Sequence, residues 1–238
     1  MTSYTFNQPV ADALLFKGYF LAGHLSSPRI GYFPFYPDSR RVFSITSKLA
    51  LVADELAKTI MPMSVDLIAS REAAGIPFGV ATALAAKKDF LYLRKTPKGY
   101  GTNSVIEGIF QPGQRVVIVD DAASRMQDKK IAIDQLTAAG LKVAGVSVLF
   151  DAAYGVDEAQ QAWLRQSQEY SFAALLRWDD LMRYAAEKRF ISQALADLVL
   201  AWIKNPADWS EKPENWQRFK QIATQEKNLV FDPSFKEI

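Results

Sequence analysis

The chain has no cysteine among its 238 residues. That removes any disulfide frame, thiolate nucleophile or cysteine metal site. It has one histidine, His24, which excludes multi-histidine metal sites and argues against a Ser-His-Asp triad. Beside a glycine and a Ser-Ser-Pro turn, His24 is expected as a surface or hydrogen-bonded loop residue. Charge of one sign is also scarce, since 28 Lys and Arg against 26 Asp and Glu leave a balance of +2. Bulk electrostatics therefore point to neither nucleic acid nor a membrane surface. No apolar run is long enough to span a bilayer, and Met1–Val10 carries no signal-peptide pattern, so a cytoplasmic protein is expected. Repeats and low-complexity segments are missing too. What remains is a chain long enough for one large domain, or for a domain with appendages, and for a substantial core.

The stretch that organises the chain is Arg115-Val-Val-Ile-Val-Asp-Asp121. Val116 to Val119 are all apolar, which suits a strand buried on both faces of a parallel sheet. A short polar segment, Ser124-Arg-Met-Gln-Asp128, follows. Lys129 to Ala139 then reads as a helix, with Ile133 and Leu136 on an apolar face and Gly140 as its stop. A strand, loop and helix in that order put backbone N–H groups where an anion can sit, beyond the carboxyl end of the strand. Taken alone, Asp120 and Asp121 are better read as a strand end that caps the next turn, and the pair becomes informative only with what precedes and follows it.

The remaining elements alternate. A helix is expected over Val10 to Phe16, and short strands and turns forming a cap over 19–44, where glycine, proline and aromatics concentrate. Ser47 to Ile60 is an amphipathic helix stopped near Pro62. Val65 to Ala69 and Phe90 to Leu93 read as strands around a small-residue helix, Phe78 to Ala86, entered through a turn at Gly75 and Pro77. Leu141 to Phe150 is a strand broken by Gly145. Beyond it come a helix at 157–166, an edge strand at Tyr170 to Leu176, and helices over Trp178 to Lys188 and Ile191 to Ile203. Trp209, Trp216 and Phe219 then mark 205–238 as an appendage packed on the domain or as an oligomer contact. The pattern predicts an α/β fold with right-handed crossovers. Its expected parts are an N-terminal hood over 1–45, a core over 46–190 and a helical extension over 191–238.

Arg94-Lys-Thr-Pro-Lys-Gly-Tyr-Gly-Thr102 holds three cations, a proline and two glycines and no acid. Such a run is either a solvated basic turn or a mobile loop that closes over a polyphosphate, with its cations placed against developing charge.

The order of these parts resembles the type I phosphoribosyltransferases, and specifically the orotate phosphoribosyltransferases. Arg94-Lys95-x-x-Lys98-x-Tyr100-Gly101-Thr102, Ile106-Glu107-Gly108, Pro112-Gly113 and Asp120-Asp121 look like their catalytic loop and ligand strand in sequence. Ala74-Gly75-Ile76-Pro77 is similar to their pyrophosphate loop, and Tyr36-Pro-Asp-Ser-Arg-Arg-Val42 is a looser match to their hood. The resemblance spans residues 10–185. It implies a twisted parallel sheet flanked by helices, a small N-terminal hood and a homodimer. The implied reaction transfers ribose 5-phosphate from phosphoribosyl pyrophosphate (PRPP) to a nucleobase, with Mg²⁺ carried by the pyrophosphate rather than by protein metal ligands. By the same resemblance Arg94, Lys95 and Lys98 serve the pyrophosphate, with Tyr100 on the same loop. Asp120 and Asp121 hold the ribose, Ser70, Arg71 and Glu72 belong to the pyrophosphate loop, and Ser124, Arg125 and Gln127 stand in the phosphate cradle.

Two departures accompany it. The cradle of the family reads Thr-Thr-Gly-x-Ser/Thr, and here those places hold Ser124 to Asp128. Met126 replaces the glycine and Asp128 the final hydroxyl, so a carboxylate faces a dianion unless it points away. The arginine that the family offers to its pyrimidine is Ala152 here, after Asp151, with no other cation close by in sequence. Arg71 and Glu72 are expected either to pair with each other or to leave Arg71 free for missing phosphate contacts. The alternative to a transferase is therefore a non-catalytic member of the fold that senses a nucleotide or binds a partner.

Overall fold

A computed structural model describes residues 2–27, 31–96, 104–124, 126–152 and 170–238. β1 (Thr2–Tyr4) leads into α1 (Gln8–Leu14), which starts where the Asn7 side chain accepts a hydrogen bond from the Val10 N–H. β2 (Phe20–Ser27) and β3 (Gly31–Pro37) pair antiparallel, and a 3-10 turn (Ser39–Ser44) delivers the chain to α2 (Thr46–Ile60). Next come β4 (Leu67–Arg71), α3 (Gly75–Ala86), β5 (Asp89–Leu93) and the short β6 (Ile106–Glu107). β7 (Arg115–Ala123), α4 (Gln127–Ala138), β8 (Lys142–Asp151) and β9 (Ser171–Arg177) complete the core strands. The chain ends through α5 (Trp178–Glu187), α6 (Gln193–Lys204), α7 (Pro206–Ser210), α8 (Pro213–Ala223), β10 (Val230–Phe231) and a last 3-10 turn.

The main sheet has seven strands in the order β1-β9-β8-β7-β4-β5-β6. Every pair is parallel except β5 with β6. The central strand β7 is buried on both faces, as its apolar run requires. Val117 and Val119 face one core cluster, Val116 and Ile118 the other, and all four are fully buried. That alternation is the period-two geometry of a strand between two helical layers.

Several sequence expectations shift. β9 is not an edge strand, because Thr2, Ser3 and Tyr4 pair with Phe172, Ala173 and Ala174 on its outer side. Three residues are too few to show a period, so β1 had no signal. β8 is not broken at Gly145 but bulges there. Val116 pairs with Val143 and Val117 with Gly145, one residue being skipped. A side chain at Gly145 would meet the Ser171 carbonyl oxygen at 2.3 Å, so the glycine lets β9 approach. α3 starts at Gly75 rather than at Phe78, with Pro77 inside its first turn, where no N–H needs a helical partner. The helix expected at 157–166 lies outside the described residues.

The cap over 19–44 is a three-stranded sheet, β10-β2-β3, and its third strand comes from the far end of the chain. Val230 and Phe231 pair with Leu21 and Ala22 in parallel. Trp209, Trp216 and Phe219 are buried within the same chain. Trp209 packs on Trp216 with ring centroids 5.3 Å apart, and Phe219 meets Phe235 at 6.3 Å. His24 is a strand residue rather than a loop residue, stacked on Tyr32 at 4.2 Å with Trp216 edge-on at 4.7 Å.

Candidate active site

β7 delivers Asp120 and Asp121 to the carboxyl edge of the sheet. Strand alternation sends the two side chains in different directions, and their surroundings differ accordingly. Asp120 is 6% exposed. Its Oδ1 accepts from the Asp121 N–H at 2.9 Å, and its Oδ2 accepts from Lys129 Nζ at 2.5 Å. Asp121 is half-buried and accepts at Oδ2 from the Ser39 hydroxyl, 2.9 Å away on the turn that follows β3. The hood therefore touches the site through Ser39. Tyr36, next to that turn, has its phenol pushed up to about 12 by burial, with the Asp121 charge adding to it. It stays neutral in any physiological medium.

Lys129 is 1% exposed, and a second carboxylate, that of Asp128, lies 2.8 Å from its ammonium. Burial acts oppositely on the two ends of this cluster. It pushes the Asp120 carboxyl up to about 6, against the pull of Lys129. At Lys129 the two carboxylates outweigh it, so the lysine keeps its proton more tightly than usual. Lys129 carried no signal of its own in the sequence, where it read only as the first residue of a helix. Ser39 stood inside the stretch that resembled the hood, without a role.

The loop after β4 closes against these acids. A Cβ on Gly75 would lie 2.5 Å from Asp120 Oδ1, so only glycine admits this approach of α3 to the carboxylate. Ser70 is fully buried, and its hydroxyl donates to the Val119 carbonyl at 2.7 Å, shaping the loop from beneath. Arg71 and Glu72 do not pair with each other among the described residues. Arg71 Nη1 donates to the Asp128 backbone carbonyl at 3.3 Å, and the buried Arg71 Nε has no hydrogen-bond partner among the described residues. Glu72 Oε1 accepts from the Lys95 backbone N–H at 2.5 Å, at the exit of β5. Arg94 stands beside it, its backbone N–H on the Val105 carbonyl and its Nη1 3.8 Å from Glu107 Oε1. Lys98, Tyr100 and Arg125 lie outside the described residues.

α4 begins beside this group. Met126 precedes it with φ of +54°, the left-handed conformation for which glycine is the usual choice, and no side chain caps the helix. Met126 is also buried, 5% exposed in the cluster beneath β7. Gln127 is exposed and Ser124 half-buried at the same opening. Among the described residues no group of three or more His, Cys, Asp and Glu could hold a metal ion. At the end of β8, Ala152 is buried. The β8–β9 register places Arg177 opposite Asp151, with Nε 3.7 Å from Oδ2. A cation thus stands close in space where none does in sequence.

This arrangement has counterparts. An orotate phosphoribosyltransferase of Cereibacter sphaeroides is 31% identical over 182 residues, covering 75% of this chain and 77% of the relative. The chain belongs to the orotate phosphoribosyltransferase family. A Bacteroides fragilis orotate phosphoribosyltransferase is 29% identical over 178 residues, covering 74% and 82% of the two chains. No family model matches the chain. Among solved structures, the UMP synthase of Leishmania donovani superposes with a TM-score of 0.70 at 28% identity, over 82% of this chain. This chain spans only 41% of that longer one. The orotate phosphoribosyltransferase of Aeropyrum pernix shares the fold, with a TM-score of 0.63 at 24% identity, over 75% of this chain and 98% of that one. The orotate phosphoribosyltransferase-type sheet, with its hood, is therefore the frame on which Asp120 and Asp121 stand.

Proposed function

We propose that the protein is a phosphoribosyltransferase that moves the ribose 5-phosphate of PRPP onto a nucleobase, in pyrimidine nucleotide synthesis. One observation carries this reading. Three close approaches gather four separate chain segments at one sheet edge. Gly75 lies against Asp120, Arg71 on the Asp128 carbonyl, and Glu72 on the Lys95 N–H. A carboxylate pair, a helix start and a cationic strand exit are what a sugar with phosphates at both ends requires.

In this reading Asp120 and Asp121 accept hydrogen bonds from the ribose hydroxyls. Their charge stabilises the ring as it gains oxocarbenium character. The backbone N–H groups at the start of α4 receive the 5-phosphate, with Ser124, Arg125 and Gln127 around it. Ser70 to Ala73 shape the pyrophosphate loop, and Arg71 supplies a cation to it. Arg94, Lys95 and Lys98 take up the charge that develops on the departing pyrophosphate, with Tyr100 on the same loop. The base nitrogen attacks C1 as the C1–O bond to pyrophosphate breaks. Mg²⁺ would be carried by the pyrophosphate and would offset its charge, and the part-exposed Asp121 carboxylate is an oxygen donor that would suit a hard cation of this kind.

We take the working form to be a cytoplasmic homodimer. The exposed apolar side chains of Met61, just after α2, and of Val80 and Leu84 on α3 offer a surface for a second copy. Sedimentation equilibrium tests that, with a monomer at micromolar protein as the contrary result.

The accepting base is orotate in the named relatives. The buried Ala152 and the acidic Asp128 favour a second reading, a non-catalytic member that senses a nucleotide. Calorimetric titration with PRPP and Mg²⁺, beside an Asp120→Asn/Asp121→Asn double variant, separates the two. Micromolar binding lost in the variant supports the transferase, and a screen of bases follows. No binding at millimolar PRPP refutes it.

A further inference from the structure

A buried lysine needs partners, and Lys129 has two carboxylates within hydrogen-bond reach, of Asp120 at 2.5 Å and of Asp128 at 2.8 Å. Asp128 is in the first turn of α4, where the helix dipole favours a negative charge and where an anion would also bind. A carboxylate left facing outward there would occupy the anion's place and repel it. In this chain it turns back onto the ammonium of the next residue. The single ammonium is shared with Asp120, so the cluster of Asp120, Asp128 and Lys129 presents one negative charge to the seat where the two carboxylates alone would present two. The Asp128 backbone is fixed in the same sense, since its carbonyl accepts from Arg71.

We infer that Lys129 is a positioning residue, which withdraws the Asp128 carboxylate from the phosphate seat at the start of α4 and holds Asp120 ionised for the ribose. This rests on the reading of the site as a PRPP site. It accounts for the acidic residue in the cradle without loss of the cradle. The lysine and the aspartate form one unit, so substituting either alone has a different consequence from substituting both.

The test is a double-mutant cycle of Lys129→Met, Asp128→Asn and the pair, titrated calorimetrically with PRPP and Mg²⁺ and separately with inorganic phosphate. Lys129→Met is expected to weaken PRPP binding about tenfold or more, and Asp128→Asn to restore part of that loss in the Lys129→Met background, the remainder being the share that runs through Asp120. A merely structural lysine would lower the melting temperature without this coupling. Wild-type affinity in folded Lys129→Met, or an equal effect of Asp128→Asn in both backgrounds, overturns the inference. If Lys129→Met does not fold, Asp128→Asn alone decides. Tightening beyond about tenfold means that the charge did face the seat, and a smaller change upholds the pairing. If the wild type binds phosphate but not PRPP, the PRPP reading fails and the phosphate cycle judges the inference. If it binds neither, both fail.

Discussion

Replacing Lys129 with methionine should destabilise the protein in a manner that depends on pH with an unusual sign. The ammonium is buried, and its loss leaves Asp120, 6% exposed, without its cation. Removing one partner of a buried pair costs about 3–5 kcal/mol, because the remaining charge is uncompensated. Asp120 can escape that cost by taking up a proton. In the intact protein its carboxyl already stands at about 6 rather than at its ordinary 3.8. The folded state therefore holds more protons than the unfolded state between those values, and stability falls as pH rises through them. The difference corresponds to about 3 kcal/mol. A salt-bridged carboxylate with a lowered pKa would do the opposite. In the methionine variant the attraction of Lys129 is gone and the Asp121 charge remains, so the carboxyl rises further. The penalty is then small at pH 5, where Asp120 is protonated in both proteins, and full at pH 8. Lys129 itself, with a raised pKa, loses its contribution only above its ordinary value of 10.5, outside this window. Urea titrations of both proteins at pH 5 and pH 8 measure the effect, and thermal melts should show a loss on the order of 10 °C at pH 8. An equal penalty at both pH values, or a larger one at pH 5, would refute the reasoning.

Three further outcomes are expected. Gly75→Ala puts a methyl group 2.5 Å from Asp120 Oδ1, so the carboxylate must move. Stability should fall by about 1–3 kcal/mol and PRPP affinity by more than that loss alone explains, which calorimetry beside urea titration resolves. Met126→Gly relieves a left-handed φ worth about 1–2 kcal/mol but removes a buried side chain worth about 2–5. The variant should be less stable, and a higher melting temperature would show that strain dominates. Phe219→Ala, at a fully buried position in the final forty residues, should cost about 3–5 kcal/mol. Wild-type urea stability would mean that the tail contributes little to the fold.

The sequence by itself determined the α/β alternation, because periodicity and the Gly and Pro stops are local properties of the chain. β7 was legible for the same reason, whereas its two acids became informative only through the segments that precede and follow them. The order of the basic loop, the strand and the cradle sufficed to suggest the family. The surroundings of each acid were not legible, because they depend on residues distant in sequence. Only the folded chain sets Gly75 against Asp120, Ser39 against Asp121 and Arg177 against Asp151. Strand register supplied the last of these, and register is fixed by pairing across the sheet rather than by any local preference. The third strand of the hood likewise comes from the last ten residues, whose two-residue segment carries no period of its own. The orientation of Asp128 belongs to the same class. A sequence shows that a carboxylate is present at a helix start, but whether it faces a ligand or a buried lysine is decided by which cation the fold brings within reach.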